Sequence, residues 1–165
     1  RDTDRSRGLG DVYKRQHTAS AMGEVAAENI MGLDAHYDES TNPMTVFMLP
    51  EAASVGMTED QAKKSGCKYK VGRFPLTANG KALILNGGEG LIKVILGEPY
   101  GEVLGVHITG PHASDLIQEA ALALRLEATA DELISTIHGH PTVSEAVREA
   151  VLAAEKRAIH MPNRK

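Results

Sequence analysis

Hydrophobic and polar residues alternate along the chain with two different periods, one helical and one extended. Small and apolar residues recur at helical spacing over residues 18–30, and Gly32 follows them as a stop signal. Residues 33–43 are mostly polar and end in proline, which is typical of a connector. The pattern therefore predicts a first helix that a polar connector joins to the rest of the chain.

Short extended and helical segments alternate over the middle of the chain. Strands are predicted at residues 44–48 and 69–74, with a helix between them that Thr58 opens and Gly66 closes. A short helix is one interpretation of residues 78–85. Two β-rich runs flank a turn containing glycine and proline and predict an antiparallel hairpin, at residues 91–96 and 103–108.

Three amphipathic helices complete the pattern. The first covers residues 113–126, and the second starts at a T-x-x-E capping box on Thr129 and runs to His138. The third has apolar residues spaced for a buried stripe, namely Val147, Val151, Ala154 and Ala158. This order of elements predicts an α+β fold, in which helices cover an antiparallel sheet.

Composition narrows the class of protein. The chain has 165 residues, of which 42% are hydrophobic and 24% charged, with a net charge of −4. This length suffices for a domain with a sizeable core. Lysine and arginine are scattered, so no nucleic-acid face is expected. No apolar run approaches the length of a membrane span, and a cytoplasmic location is expected.

The cysteine, histidine and glycine patterns give little support to metal or nucleotide binding. Cys67 is the only cysteine, so no internal disulfide is possible. His138 and His140 form H-x-H, but the H-E-x-x-H spacing of helical zinc sites is absent, and no metal is predicted. The glycine-rich residues 86–90 precede a strand rather than a helix, so no phosphate loop is expected there.

The first sixteen residues differ from the remainder. Residues 1–16 carry mixed charges without a hydrophobic period, and residues 11–16 resemble a translated sequencing adapter. We expect a non-native, disordered leader joined to a gene fragment whose upstream part is missing.

The strongest candidate for chemistry is the run His-Gly-His-Pro-Thr-Val-Ser-Glu at residues 138–145. Because histidine titrates near neutrality, His140 with Glu145 five positions later could form a general-base pair. The same residues also fit a T-x-x-E capping box, in which Glu145 returns to the backbone of Thr142 at a helix start. Spacing alone leaves both interpretations open.

Several motifs together resemble one family. The run at residues 138–145 resembles the C-terminal signature of the dihydrolipoamide dehydrogenases, within the FAD-dependent pyridine nucleotide-disulfide oxidoreductases. Residues 50–59 resemble the first strand and turn of that family's interface domain, and residues 104–117 its hairpin and following helix. Residues 17–28 resemble the helix that ends its FAD domain. The resemblance implies an FAD-domain helix and connector at residues 17–40 and an interface (dimerisation) domain at residues 41–165.

The resemblance also implies a function and site residues. His140 would be the general base that deprotonates dihydrolipoamide, with Glu145 orienting it across a homodimer, while FAD and NAD carry the electrons. His17 would contact FAD, and the backbone near Pro141 would approach the partner's flavin. The redox cysteine pair and nucleotide-binding domains are missing, so the fragment alone is expected to be inactive and to bind neither cofactor. A lipoyl domain of a 2-oxo-acid dehydrogenase or glycine cleavage complex would be the protein partner.

Two other functions stay open. The chain could be the same domain of another disulfide reductase, such as a glutathione reductase, or a stand-alone homodimerisation module. The H-x-H-P-T-x-S-E form and the Gly110–Pro111 pair after the hairpin favour the lipoamide enzyme.

Overall fold

The computed structural model describes residues 16–163, which divide into two compact units with the boundary between Asn42 and Pro43. The predicted leader lies outside the described residues except for Gln16. The first unit contains helix α1 (Gln16–Ile30) and a 3₁₀ turn (Glu39–Thr41). Within it, Asn42 Nδ2 donates to Thr18 Oγ1 at 2.9 Å, so the end of the connector is tied to α1. Whether the two units have the family roles implied above stays a prediction.

The second unit is built on one antiparallel sheet. Its strands, in the described part of the chain, are β1 (Met44–Val46), β2 (Ala52–Gly56), β3 (Tyr69–Pro75), β4 (Leu91–Gly97) and β5 (Val103–Thr109). They lie in the order β1-β2-β5-β4-β3, and every neighbouring pair is antiparallel. The predicted hairpin is confirmed, because β4 pairs directly with β5 in the centre of the sheet.

Helices cover this sheet as the pattern predicted. They are α2 (Glu59–Ser65), α3 (Gly80–Asn86), α4 (Ala113–Arg125), α5 (Ala130–Ser135) and α6 (Glu145–Ala154). Helix α4 packs on β2 and β5, α6 packs on β3 and β4, and α5 contacts α6. The α+β class is confirmed. Among residues 16–163 there is no helix with the length and apolarity needed to cross a bilayer.

The core lies between the sheet and helices α4 and α6. Alternate residues of the strands point into it, as half-buried strands require. The fully buried side chains include Phe74, Ile92, Val94, Val106, Ile117, Val147 and Val151. Val147, Val151 and Ala154 of the predicted apolar stripe are buried on α6. Ala158 is buried as well but lies beyond the helix, so the predicted extent of the last helix was wrong: α6 ends at Ala154, and Lys156 follows in the left-handed conformation. At Gly72, strand β3 and helix α6 lie so close together that a Cβ would collide with the carbonyl oxygen of Ala150.

Helix ends were predicted correctly where a side chain caps the backbone of its own helix. Thr58 and Gln61 form the capping box of α2, and Gly66 ends that helix in the left-handed conformation. The predicted extent of α5 was wrong, because the helix ends at Ser135 and not at His138. The hydroxyl of Thr136 donates to the carbonyl oxygen of Glu132 at 2.7 Å and competes with the helical bonds there.

Strand β2 was missing from the elements predicted by periodicity. Its residues, Ala52 to Gly56, are small and carry little of the β-branched and aromatic character that marks a strand. Its place in the sheet is set by pairing with β1 on one side and β5 on the other.

Candidate active site

His140 lies in the loop between α5 and α6, directly before a cis peptide bond to Pro141. Its side chain is 81% exposed. Three residues later, Val143 is buried in the core. Val143 therefore anchors this end of the loop in the core, while the imidazole of His140 faces solvent.

Glu145, the first residue of α6, contacts the loop with both carboxylate oxygens. Oε1 lies 2.9 Å from Nδ1 of His140, and Oε2 accepts the backbone N–H of Thr142 at 2.9 Å. Partial burial favours the neutral acid, but the pKa of Glu145 is lowered overall, since the Thr142 N–H, His140 and the charge of His160 stabilise the carboxylate. Glu145 is therefore an anion that faces the imidazole.

The two interpretations of residues 142–145 are both partly realised. Glu145 makes the backbone bond of a capping box, yet α6 has Ser144 as its N-cap and that side chain makes no capping bond. The Thr142 hydroxyl donates to the Gly139 carbonyl at 2.6 Å instead of capping the helix. One carboxylate thus holds the turn with one oxygen and the imidazole with the other.

This geometry sets which imidazole nitrogen can act as a base. An ionised carboxylate only accepts hydrogen bonds, so in neutral His140 the proton sits on Nδ1, where it bonds to Glu145. The lone pair is then on Nε2. Because the ring is exposed, Nε2 is available to take a proton from a bound group.

Asn79 fixes the loop to the start of α3. Its Nδ2 donates to the carbonyl oxygen of Thr142 at 3.0 Å, and its Oδ1 accepts the N–H of Ala82 at 2.8 Å as the N-cap of the helix. The side chain is buried, with a residue exposure of 7%. Sequence reasoning missed this residue, because the partner at Thr142 lies 63 positions away.

A second histidine–glutamate pair stands beside the first. Nε2 of His138 lies 2.7 Å from Oε1 of Glu119 on α4, and Nδ1 lies 3.1 Å from the carbonyl oxygen of Thr136. Sequence reasoning considered His138 only as half of an H-x-H metal motif. No local spacing could reveal Glu119, which lies 19 positions earlier.

A third pair anchors the C-terminal segment. The buried Glu149 accepts the backbone N–H groups of Ile159 and His160 with Oε2, at 3.1 and 3.0 Å. Its Oε1 lies 3.1 Å from Nδ1 of His160. These two residues line an open cavity of about 260 Å³ together with Glu145 and His138. The side chain of His160 is 63% exposed.

The remaining predicted site residues are placed as follows. Pro141 is exposed in the loop, next to His140. His17 is exposed in the first turn of α1, in the other compact unit. The structure therefore brings His140 and Pro141 of the loop together with Glu145 at the start of α6, and the contact of His17 with a flavin stays a prediction.

Among residues 16–163, the glycine-rich turn after α3 has an explanation other than ligand binding, and clusters of possible metal ligands are absent. Gly87 has a left-handed conformation and closes α3, its N–H returning to the carbonyl oxygens of Ala82 and Leu83. Within residues 16–163, no group of three or more histidine, cysteine or acidic residues could hold a metal ion.

Comparison with known proteins identifies a matching family and similar relatives. Residues 42–151 match the model of the family described as pyridine nucleotide-disulphide oxidoreductase, dimerisation domain. The dihydrolipoyl dehydrogenase of Bacillus subtilis is 46% identical over 156 residues, which are 92% of this chain and 33% of that protein. The dihydrolipoyl dehydrogenase of Thermus scotoductus is 48% identical over 159 residues, 94% of this chain and 34% of that protein.

A solved structure agrees with these relatives. The crystal structure of LpdA from Mycobacterium tuberculosis has a TM-score of 0.71 and 28% identity, and the match covers 76% of this chain and 28% of that one. The chain thus spans about a third of the length of the curated relatives that it matches.

Proposed function

The chain belongs to the pyridine nucleotide-disulphide oxidoreductase family, and from this membership we propose that it is the interface domain of a dihydrolipoyl dehydrogenase. In that role it supplies the general base for oxidation of dihydrolipoamide. The observation that carries the proposal is the exposed His140 imidazole with Nδ1 held by the Glu145 carboxylate at 2.9 Å. The names of the relatives supply the substrate.

The proposed reaction begins with a proton transfer. Nε2 of His140 takes the proton of a substrate thiol, which leaves a thiolate and an imidazolium. The thiolate, and not the thiol, attacks a disulfide, so the base raises the rate of exchange. One sulfur–sulfur bond forms as another breaks, and the released thiolate accepts the proton that the His140 imidazolium carries. The Glu145 carboxylate stabilises the imidazolium charge.

The disulfide and the cofactors of this reaction lie outside the described residues. Cys67 is the only cysteine of the chain, so it cannot form the redox pair. FAD and NAD would supply the electron acceptors. Pro141 is proposed to lie against the flavin of a partner subunit and His17 to contact the flavin of its own.

A homodimer is part of the proposal, because the family model is that of a dimerisation domain. The apolar surface near the dyad supports it, since Leu122, Leu126 and Ile137 are 60%, 68% and 95% exposed. A lipoyl domain of a 2-oxo-acid dehydrogenase or glycine cleavage complex is the proposed protein partner. The cytoplasmic location is likewise proposed.

The test is a chimera in which residues 17–163 replace the matching segment of the Bacillus subtilis relative. His140→Gln in the chimera should cut oxidation of dihydrolipoamide by about 10²–10⁴-fold, the usual scale for loss of a general base. Flavin content and dimeric state are measured for both proteins, so that a folding defect is recognised. An unchanged rate in a folded His140→Gln chimera would contradict the proposal.

The substrate class is tested separately. The unsubstituted chimera is assayed with dihydrolipoamide and with oxidised glutathione. Turnover of glutathione alone would favour the domain of a glutathione-reductase-like enzyme. A folded, dimeric chimera that turns over neither substrate would favour a stand-alone dimerisation module.

A further inference from the structure

The second histidine–glutamate pair lies at the base of the loop that carries His140. The side chain of His138 is 6% exposed, and its two ring nitrogens face two acceptors, the carboxylate of Glu119 and the carbonyl oxygen of Thr136. Only Gly139 separates it from His140 in the chain. A buried side chain two residues from an exposed base constrains where that base can lie.

The two acceptors favour a charged ring. A neutral imidazole has one donor nitrogen, so one of these acceptors would face a lone pair, whereas an imidazolium donates to both. The hydrogen bond to Glu119 raises the pKa of His138, although burial opposes this, and the charge of Glu119 and the Thr136 carbonyl add to it. The charge of Arg148 on α6 acts in the opposite direction. The other ionisable residues that line the two cavities beside His138 are Glu132, Glu145, Glu149 and His160.

Three contacts together hold the loop to three different helices. His138 binds Glu119 on α4, Thr142 accepts from Asn79 at the start of α3, and Thr142 N–H donates to Glu145 on α6. The Gly139 carbonyl also accepts the Thr142 hydroxyl, which joins the two halves of the loop across the cis bond. His138 is the anchor on the N-terminal side of His140, and the other two lie on its C-terminal side.

We propose that Glu119 and His138 are positioning residues for His140: their hydrogen bond fixes the N-terminal side of the loop and so keeps the His140 imidazole against Glu145. The inference rests on the function proposed above, because the position of the loop affects the reaction only if His140 acts as the base. Neither residue touches the reacting atoms. Misplacing a reactive group by about 1 Å can cost as much as 10²-fold in rate.

The first test uses the whole 165-residue chain. Nitrogen-15 shifts of the histidine rings report how the proton of neutral His140 is divided between Nδ1 and Nε2. In the unchanged chain the proton should sit on Nδ1. In Glu119→Gln the shifts of His140 should move toward the mixed tautomers of a free imidazole. Asp115→Asn is the matched control, since it makes the same chemical change on α4 at a carboxylate that is 86% exposed.

The second test measures rates in the chimera described above. Glu119→Gln should lower kcat for dihydrolipoamide by about 10- to 100-fold, with a smaller change in KM, while Asp115→Asn should leave kcat unchanged. His138→Gln retains a neutral donor toward Glu119 and should recover part of the rate that His138→Ala loses. If Glu119→Gln lowers the flavin content, the nitrogen-15 shifts in the chain decide the question.

The outcomes separate this inference from the proposed function. Equal kcat values and equal His140 shifts in Glu119→Gln and Asp115→Asn would overturn the positioning role, even if His140→Gln is inactive. An active His140→Gln chimera would instead overturn the proposed function, and the shifts in the chain would still show whether Glu119 orders the loop.

Discussion

Asn79 and Thr142, which are 63 positions apart, are joined by a hydrogen bond of 3.0 Å from the Asn79 side-chain amide to the Thr142 carbonyl oxygen. The same side chain caps α3 through the N–H of Ala82. A single buried residue therefore connects the start of one helix to the loop that carries His140.

Replacing Asn79 should destabilise the protein and loosen this loop. Asn79→Ala removes both the cap and the bond to Thr142 and should cost about 2 kcal/mol in the free energy of unfolding, measured by urea titration. Asn79→Asp keeps an oxygen for the cap but loses the donor, so it isolates the bond to the loop. If Asn79→Ala changes the free energy by only a few tenths of a kcal/mol, the Asn79 contacts contribute little.

Glu145→Gln should change the tautomer of His140 rather than merely weaken its bond. The Thr142 N–H needs an acceptor, so the amide oxygen of the glutamine takes that place and its NH₂ group faces Nδ1 of His140. The proton of the imidazole would then move to Nε2, where it blocks the base. Nitrogen-15 shifts of the His140 ring should show this reversal. The control is Glu155→Gln, because Glu155 follows the C-terminal end of α6.

The stability contributed by the His138–Glu119 pair should depend on pH. The pKa of His138 is raised in the folded state, so its contribution is fully present below about pH 6.5 and is lost as the pH rises through the folded pKa. At pH 6, Glu119→Gln should cost roughly 1.5–3 kcal/mol, the range for hydrogen bonds to charged groups. The difference between the two proteins should shrink at pH 9, and a constant difference would argue against a charged His138.

Gly72 should tolerate no side chain. A Cβ at this position would collide with the Ala150 carbonyl of α6, which is backbone and can give way only if the helix moves. Gly72→Ala should therefore cost about 3 kcal/mol in unfolding free energy, the upper part of the range for overpacked cores. Gly80→Ala, where nothing lies within 4 Å of the added Cβ, is the control. Equal thermal midpoints for Gly72→Ala and the unsubstituted chain would show that α6 moves away from the sheet easily.

The chain should form a homodimer through the apolar surface beside the His140 loop. Sedimentation equilibrium should give the dimer mass at micromolar concentration, and Ile137→Asp should shift the chain toward monomer. Ile84→Asp is the control, because Ile84 is 75% exposed on α3 but does not line the groove that contains Leu122, Leu126 and Ile137. A monomer at high concentration, without any substitution, would count against a dimer of the chain alone.

The sequence by itself determined the features that depend on nearby residues. The two β-rich runs of the hairpin, the helix start at Thr58 and the capping box at Thr129 are local patterns, and each is confirmed. The dyad could also be found from the sequence, because Glu145 is only five positions from His140. Spacing could not decide between the dyad and the capping box, since a carboxylate has two oxygens and uses one for each.

The tertiary structure decided the features that depend on distant residues. Strand β2 has no strong pattern of its own and is defined by its two neighbours in the sheet. The early end of α5 frees His138 to reach Glu119, and Asn79 meets Thr142 only after the sheet has brought their segments together. The packing of α4 against this loop gives His138, a histidine of an apparent metal motif, a carboxylate partner in Glu119. Local spacing determines what a segment can form, and packing between distant segments determines which partners its side chains meet.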